Sequence, residues 1–373
     1  MSRKFKFIYA VATLVGSTIG VGIFSLPYIT LRVGFLAMLG YLLVLTILVI
    51  LIQYLFGEVA LATPDFRRLP GFAKFYLGKP GKWLALISSI LGGIGAMLAY
   101  IIIGGEFLSK ILSPVLGGNP DWYSFVYFLI GSAFVFFGIR AISRIDLLGV
   151  CLFIVSLFVI IFSSITRFDI NNLALKTGSL AEFFLPYGPL LFALSALMII
   201  PEIEEMLGEN KKWLRRVIPI SVSISALVYL VFIVLVLGVS GSDTSSMAIP
   251  GLEKYLSGTI LKIAFFIGIV STLTAFLGVA LTLKKTLWYD LKIPRAPSWV
   301  IACFIPYLLF LLGFKDFIKV IGLVGGVLIA LDGVLVLLMY RKIKNSRTAR
   351  SLSYLLSLVF ILGLVYEIIY FAK

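Results

Sequence analysis

Long apolar runs separated by short polar stretches constrain this chain more than any other feature. Eleven occur, at roughly 6–29, 34–62, 83–112, 122–139, 146–165, 182–206, 217–239, 260–285, 297–313, 317–340 and 351–371. About 20 apolar residues in a helix cross the hydrocarbon of a bilayer. The intervening polar stretches are too short to hold a second, water-soluble domain. Only 13% of the residues are charged and 61% are hydrophobic, whereas a soluble domain carries about 25% charged residues. Soluble enzymes and peripheral proteins are therefore excluded. The expected fold class is an all-α polytopic membrane protein with 11 transmembrane helices. The first run reads as a span and not as a cleaved leader, being too long and lacking an Ala-x-Ala site.

The basic residues orient these spans. Alternate loops place 23 of the 32 Lys and Arg residues at one end and 9 at the other. The positive-inside rule then puts the N-terminus in the cytoplasm and the C-terminus outside, in the cell membrane. The net charge of +15 accordingly belongs to loops beside the lipid bilayer and calls for no nucleic acid partner. The chain has no His, which excludes His-ligated metals, Ser–His hydrolysis and His proton relays. Cys151 and Cys303 lie inside apolar runs and imply no disulfide framework. No metal site or cofactor is expected.

Two runs contain residues that do not suit a continuous helix. The first carries Gly16, Ser17, Thr18, Gly20, Gly22, Ser25 and Pro27 at mid-membrane. In a helix interior Gly costs about 1 kcal/mol and Pro about 3 kcal/mol, and unwound backbone survives at that depth only against protein or a wet cavity. A discontinuous helix is expected. Its first half ends near Thr18 with free carbonyls suited to a cation. Its second half begins near Gly22 with free N–H groups suited to an anion. An amino acid carries both charges. Close packing through a Gly-x-x-x-Gly face would explain Gly16 and Gly20, but not Gly22, Ser25 and Pro27. The sixth run has Pro186, Gly188, Pro189 and Pro201 around a Ser195-Ala196 step. Pro201 cannot donate to the Leu197 carbonyl, which is expected to be free. Runs 1–5 (residues 5–166) and 6–10 (181–341) then form two five-helix repeats, and 351–372 forms an additional helix, all within one transporter domain spanning 1–373. Because five is odd, the second repeat is inverted. Interrupted helices at matching positions of inverted halves point to a substrate site.

The segment Gly16-Ser17-Thr18-Ile19-Gly20-Val21-Gly22-Ile23-Phe24-Ser25-Leu26-Pro27 resembles the first-helix signature of the amino acid/auxin permease family, in its bacterial aromatic amino acid permease branch. Ser271-Thr272-Leu273-Thr274-Ala275-Phe276-Leu277-Gly278-Val279 is similar to that branch's Thr-Ser-Phe-Leu-Gly-Val run, with Ala275 at its Ser. Phe192-Ala193-Leu194-Ser195-Ala196, together with Glu204-Glu205 and Asn210-Lys211-Lys212, is similar to the sixth helix of the wider amino acid–polyamine–organocation superfamily. The resemblance implies a leucine-transporter-like 5+5 fold and ion-coupled uptake of amino acids through a site between spans 1, 3, 6 and 8. It further implies that amides at Gly20, Val21 and Gly22 meet the substrate carboxylate. Carbonyls near Thr18 and Ile19, and from Phe192, Ala193, Leu194 and Ser195, would meet its ammonium.

Charges within spans are functional candidates. Asp332, with no opposite charge one turn away, could accept a proton or cap a helix. Ser271, Thr272 and Thr274 offer oxygens to a sodium ion, although such hydroxyls often bond their own helix. The fifth run has no Lys or Arg to replace sodium, and Ala275 weakens the sodium reading, so H+ and Na+ both stay open. Glu106 is expected to pair with Lys110 at i+4, Glu58 to lie near Arg67 and Arg68, and Glu367 to snorkel outward. Glu202, Glu204 and Glu205 are expected in a charge network at the inner interface. Phe24, Tyr100, Phe192 and Phe276 could line an apolar pocket, and no acid at either break would pair a cationic side chain. A secondary active symporter of neutral amino acids, with aromatic ones among the candidates, is the expectation. A membrane-embedded transferase would need clustered carboxylates for a metal–diphosphate, and a channel a filter repeated around an axis.

Overall fold

The computed structural model describes residues 3–137, 155, 158–160, 162–344 and 346–371. The chain builds helices α1 (Arg3–Thr18), α2 (Leu26–Val33), α3 (Phe35–Ala62), α4 (Leu69–Leu116), α5 (Pro120–Phe137), α6 (Tyr187–Leu194) and α7 (Ile200–Leu207). It continues with α8 (Leu214–Ser240), α9 (Gly258–Lys285), α10 (Arg295–Leu311), α11 (Phe317–Leu323), α12 (Ala330–Ile343) and α13 (Arg347–Phe371). No strand is found among the described residues. The run at 146–165, with Cys151, lies largely outside them; the other runs fall on helices. Six helices are long and apolar enough to cross a membrane among the described residues, or seven if the bent pair of the first run counts as one.

The apolar side chains sort by position rather than by polarity. Met38, Leu42, Leu45 and Val49 of α3 face inward, while Leu36, Leu43 and Ile47 are exposed. On α13, Leu356 and Phe360 are buried while Leu355, Leu358 and Leu362 are exposed. A helix apolar on both faces has its outer face solvated by lipid. Glycines let the helices approach closely, as small residues do in membranes. The Tyr127 ring fills the space beside Gly104, and the Phe276 ring that beside Gly131.

Both odd runs are broken helices. α1 ends at Thr18, a 3-10 turn covers Val21–Ser25, and α2 follows with a 48° bend between the halves. Pro27 sits in the first turn of α2, where its missing N–H costs nothing. α6 ends at Leu194, and Ser195 adopts extended backbone with ψ 126°. A 3-10 turn at Leu197–Ile199 then leads into α7. The tenth run carries a third irregularity, a π-helical segment at Val324–Ile329 between α11 and α12.

Ion pairs join helices at the end that carries the basic loops. Arg215 on α8 makes two hydrogen bonds to Glu58 on α3, at 2.6 and 3.0 Å. Arg68 meets Glu202 on α7 at 3.4 Å, and Lys211 meets Glu204 at 3.4 Å. The network expected around Glu202 and Glu204 is present, but Glu58 pairs with Arg215 instead of the nearer Arg67 and Arg68. Lys110 likewise bypasses Glu106 for Glu253, at 2.9 Å. Tertiary packing brings these long side chains partners that sequence spacing does not. Lys284, near the end of α9, is buried and donates to the Val135 carbonyl of α5 at 3.1 Å.

Candidate functional site

The two breaks face each other. Gly22, in the turn after the first break, rests on the end of α6. A Cβ placed on it would lie 2.8 Å from both Cα and Cβ of Ala193 and 3.1 Å from Phe192 Cδ1. Only glycine allows that approach. Beyond each break the last carbonyls of a helix have no N–H four residues on. Tyr229 of α8 bridges them: its hydroxyl stands 2.7 Å from the Thr18 carbonyl and 2.7 Å from the Ala193 carbonyl. A phenol has one proton and donates fully to one acceptor, so the pair of oxygens has capacity for a further donor. Gln53 of α3, fully buried, donates from Nε2 to the next carbonyl, that of Leu194, at 3.2 Å. Its Oε1 is buried without a partner. A cavity of about 10 Å³ lies beside Gln53, Leu191, Ser195 and Leu197, room for one water.

The amides of the first break are partly engaged. The Gly20 N–H donates to the Thr18 carbonyl at 2.9 Å, and Ile19 N–H to Val15 at 2.9 Å. Of the three amides expected to be free, Gly20 is thus satisfied within the loop. Val21 and Gly22 open the 3-10 turn, which has no side-chain cap, so their N–H groups are the orphan donors of a helix start. The Tyr100 hydroxyl stands 3.4 Å from a Cβ placed on Gly20, bringing α4 to the same point. The Leu197 carbonyl is not free despite Pro201, because the Ile200 N–H reaches it.

The structure therefore brings together Thr18, Ile19, Gly20, Val21 and Gly22 with Phe192, Ala193, Leu194 and Ser195. It adds Tyr229 and Gln53, which sequence reasoning missed. A Gln inside an otherwise apolar run, with no turn signal beside it, was the available clue to Gln53. Of the aromatics singled out, Tyr100 and Phe192 stand at the breaks. Phe24 packs edge-on against Phe107 and Phe232, and Phe276 against Tyr127, all as buried helix packing.

Two of the ion candidates bond within their own helix. Thr272 and Thr274 donate to carbonyls of their own helix, Ile269 at 3.0 Å and Ser271 at 2.8 Å. Ser271 lies on the same helix, partly buried. Asp332 is buried on α12 with Oδ1 unpaired. One turn before it, the Leu328 carbonyl accepts from Ser88 at 2.9 Å. Ser88 precedes Tyr100 by twelve residues on α4, about 18 Å along a helix. Asp332 thus lies toward the basic end from the first break, and one turn past Ile329, which lines the cavity beside Ser195 at the second. No group of three or more Cys, Asp or Glu able to hold a metal occurs among the described residues.

At the opposite end a vestibule of about 400 Å³ opens above the breaks, lined by Tyr28, Arg32, Glu182, Leu185, Lys315 and Lys319 among others. Arg32, closing α2, holds Glu182 through Nε at 3.2 Å and Nη2 at 2.5 Å.

Comparison with known proteins gives this geometry a context. The model of the tryptophan/tyrosine permease family matches residues 3–370. The tyrosine-specific transport system 1 of Haemophilus influenzae is 24% identical over 343 residues, covering 86% of this chain and 84% of that protein. The crystal structure of MhsT in complex with L-phenylalanine superposes with a TM-score of 0.66. It covers 97% of this chain and 98% of its own at 14% identity, which shows a shared leucine-transporter-like fold.

Proposed function

The chain belongs to the tryptophan/tyrosine permease family and is a transporter, not an enzyme, and on that premise we propose that it takes up aromatic amino acids by ion-coupled symport with alternating access. The observation that carries this reading is the Tyr229 hydroxyl between the Thr18 and Ala193 carbonyls. Two helix C-termini converge there on one hydroxyl, the Thr18 carbonyl also accepting the Gly20 N–H, and an ammonium, with three N–H groups, supplies the remaining donors. The substrate carboxylate takes the Val21 and Gly22 amides and the Tyr100 hydroxyl. Phe192 borders the ring, and because the cavity beside Ser195 holds only one water, the helices there part to admit it. That the relative in Haemophilus influenzae is named for tyrosine, and that MhsT holds phenylalanine, supports an aromatic substrate.

The finer parts of the reading are the aromatic branch of the amino acid/auxin permeases, eleven spans in two inverted five-helix repeats plus one helix, a cytoplasmic N-terminus and an outer C-terminus in the cell membrane. The coupling ion is H+ or Na+, with Asp332 as the proton candidate and Ser271, Thr272 and Thr274 as the sodium set. The bonds that Thr272 and Thr274 make within their own helix favour H+.

Uptake of labelled L-tyrosine, L-tryptophan and L-phenylalanine into proteoliposomes, under an imposed proton or sodium gradient, tests the proposal. Saturable accumulation that an ionophore collapses is expected. Non-saturable flux, or none with any of the three, would overturn it.

A further inference from the structure

Glu367 on α13 is buried among groups that make a site for its carboxylate. Its Oε1 accepts the Gly188 N–H at 3.1 Å, in the first turn of α6. Three glycines on three other elements make room for it. A Cβ on Gly188 would collide with Oε1, one on Gly326 with Cγ, and one on Gly322 would lie 3.4 Å from Oε2. The residue is 3% exposed, so the expectation that it snorkels outward is wrong. A carboxylate at a helix N-terminus is favoured by the dipole and by a charge-assisted hydrogen bond.

We propose that Glu367 is a proton-binding site that couples the outer medium to the substrate site through α6. The inference rests on the transport reading above and names a regulating residue of that same site. α6 is one eight-residue rod. Glu367 holds its first turn, and its last carbonyls, Ala193 and Leu194, meet Tyr229 and Gln53. Deprotonated Glu367 docks the rod against α13 and against the π-helical segment, where Gly325 lies on the Gly188 carbonyl. Protonation removes the charge that strengthens the Gly188 bond and releases the rod. π-helical turns are frequent at functional sites. Leu185, Phe317 and Ile318 line the vestibule one turn above Gly188 and Gly322, so protons from the outer medium approach closely.

Other ionisable groups on the packed elements leave this role to Glu367. α6 contributes Tyr187, whose ring lies against Gly363 and whose hydroxyl is buried without a partner. α11 contributes Lys319, which lines the vestibule. The π-helical segment has no ionisable side chain. On α12, Asp332 is next to Gly333, which packs on Phe360, two turns away along α13. On α13 itself the Tyr366 hydroxyl turns to the Ala181 carbonyl at 3.5 Å. No ion pair involves Glu367 among the described residues.

The test uses the full-length protein in detergent. L-Tyrosine affinity is measured across the acid-to-neutral range for wild type, Glu367→Gln and Asp332→Asn, alongside amide hydrogen exchange over residues 187–194, corrected for intrinsic rates. Gln keeps an acceptor for the Gly188 N–H and removes the charge. The expected result is that exchange over 187–194 depends on pH in wild type and Asp332→Asn and is flat in Glu367→Gln, while the pH dependence of affinity differs between wild type and Glu367→Gln. An exchange response that is absent in wild type, that persists in Glu367→Gln, or that vanishes in Asp332→Asn instead would overturn the proposal, as would an affinity profile identical in wild type and Glu367→Gln. Should Glu367→Gln not fold, Gly326→Ala, whose methyl displaces the Glu367 stem, is expected to move the midpoint of the response; an unmoved midpoint overturns it. Because the exchange arm needs no ligand, failure to bind L-tyrosine would count against the transport reading alone.

Discussion

One hydroxyl decides how the two breaks meet. Removing it in Tyr229→Phe leaves at least one buried carbonyl without a donor, a loss of about 1–3 kcal/mol. Two readouts should move: a melting temperature lower by several degrees, and L-tyrosine affinity weakened by about tenfold, since 1.4 kcal/mol is a factor of ten. Unchanged affinity would remove Tyr229 from the site. Gly22 makes a complementary case. Its hydrogen faces the Ala193 backbone, so Gly22→Ala must push the turn off α6, at a cost of about 1–3 kcal/mol for overpacking. Transport should fall at least tenfold while the protein still purifies as a folded monodisperse species; normal uptake would show that the contact does not matter to the cycle.

At the scale of helices, some interactions are framework and others control position. The Arg215 side of the Glu58–Arg215 pair is half-exposed, and solvent screens such pairs so that they add little to stability. Glu58→Ala should therefore shift thermal stability only slightly and leave L-tyrosine affinity intact; a large loss of affinity would reveal a gate in place of a tie. The helices also show what a sequence can disclose. Both breaks were legible because glycine, proline and small hydroxyl residues act on the backbone locally. Thr18 and Gly22 were placed at the first break, and Ser195 at the second, by that logic alone. The partners of the freed groups were not legible. Gln53, Tyr229 and Glu367 act across 141, 211 and 179 positions respectively, and no local pattern encodes such distances. The same limit explains why Glu58 and Lys110 were assigned to neighbours in sequence and found partners elsewhere.

Across the whole molecule, apolar residues face both the core and the surroundings, and polarity is concentrated at the two ends and around the breaks. The loop charges orient such a body in a membrane. A cysteine placed at Ser2 should label only from the cytoplasmic side, and one at Lys373 only from outside; labelling of both from one side would contradict an odd number of spans. The central claim is that main-chain poles at two helix breaks grip both charges of an amino acid. The most direct measurement is competition against labelled L-tyrosine in binding to the wild-type protein, using tyramine, which lacks the carboxylate, and N-acetyl-L-tyrosine, which lacks the ammonium. Hydrogen bonds to charged groups contribute about 1.5–3 kcal/mol each, so each analogue should compete at least tenfold more weakly than L-tyrosine. If either competes as well as the parent amino acid, the breaks do not hold a zwitterion.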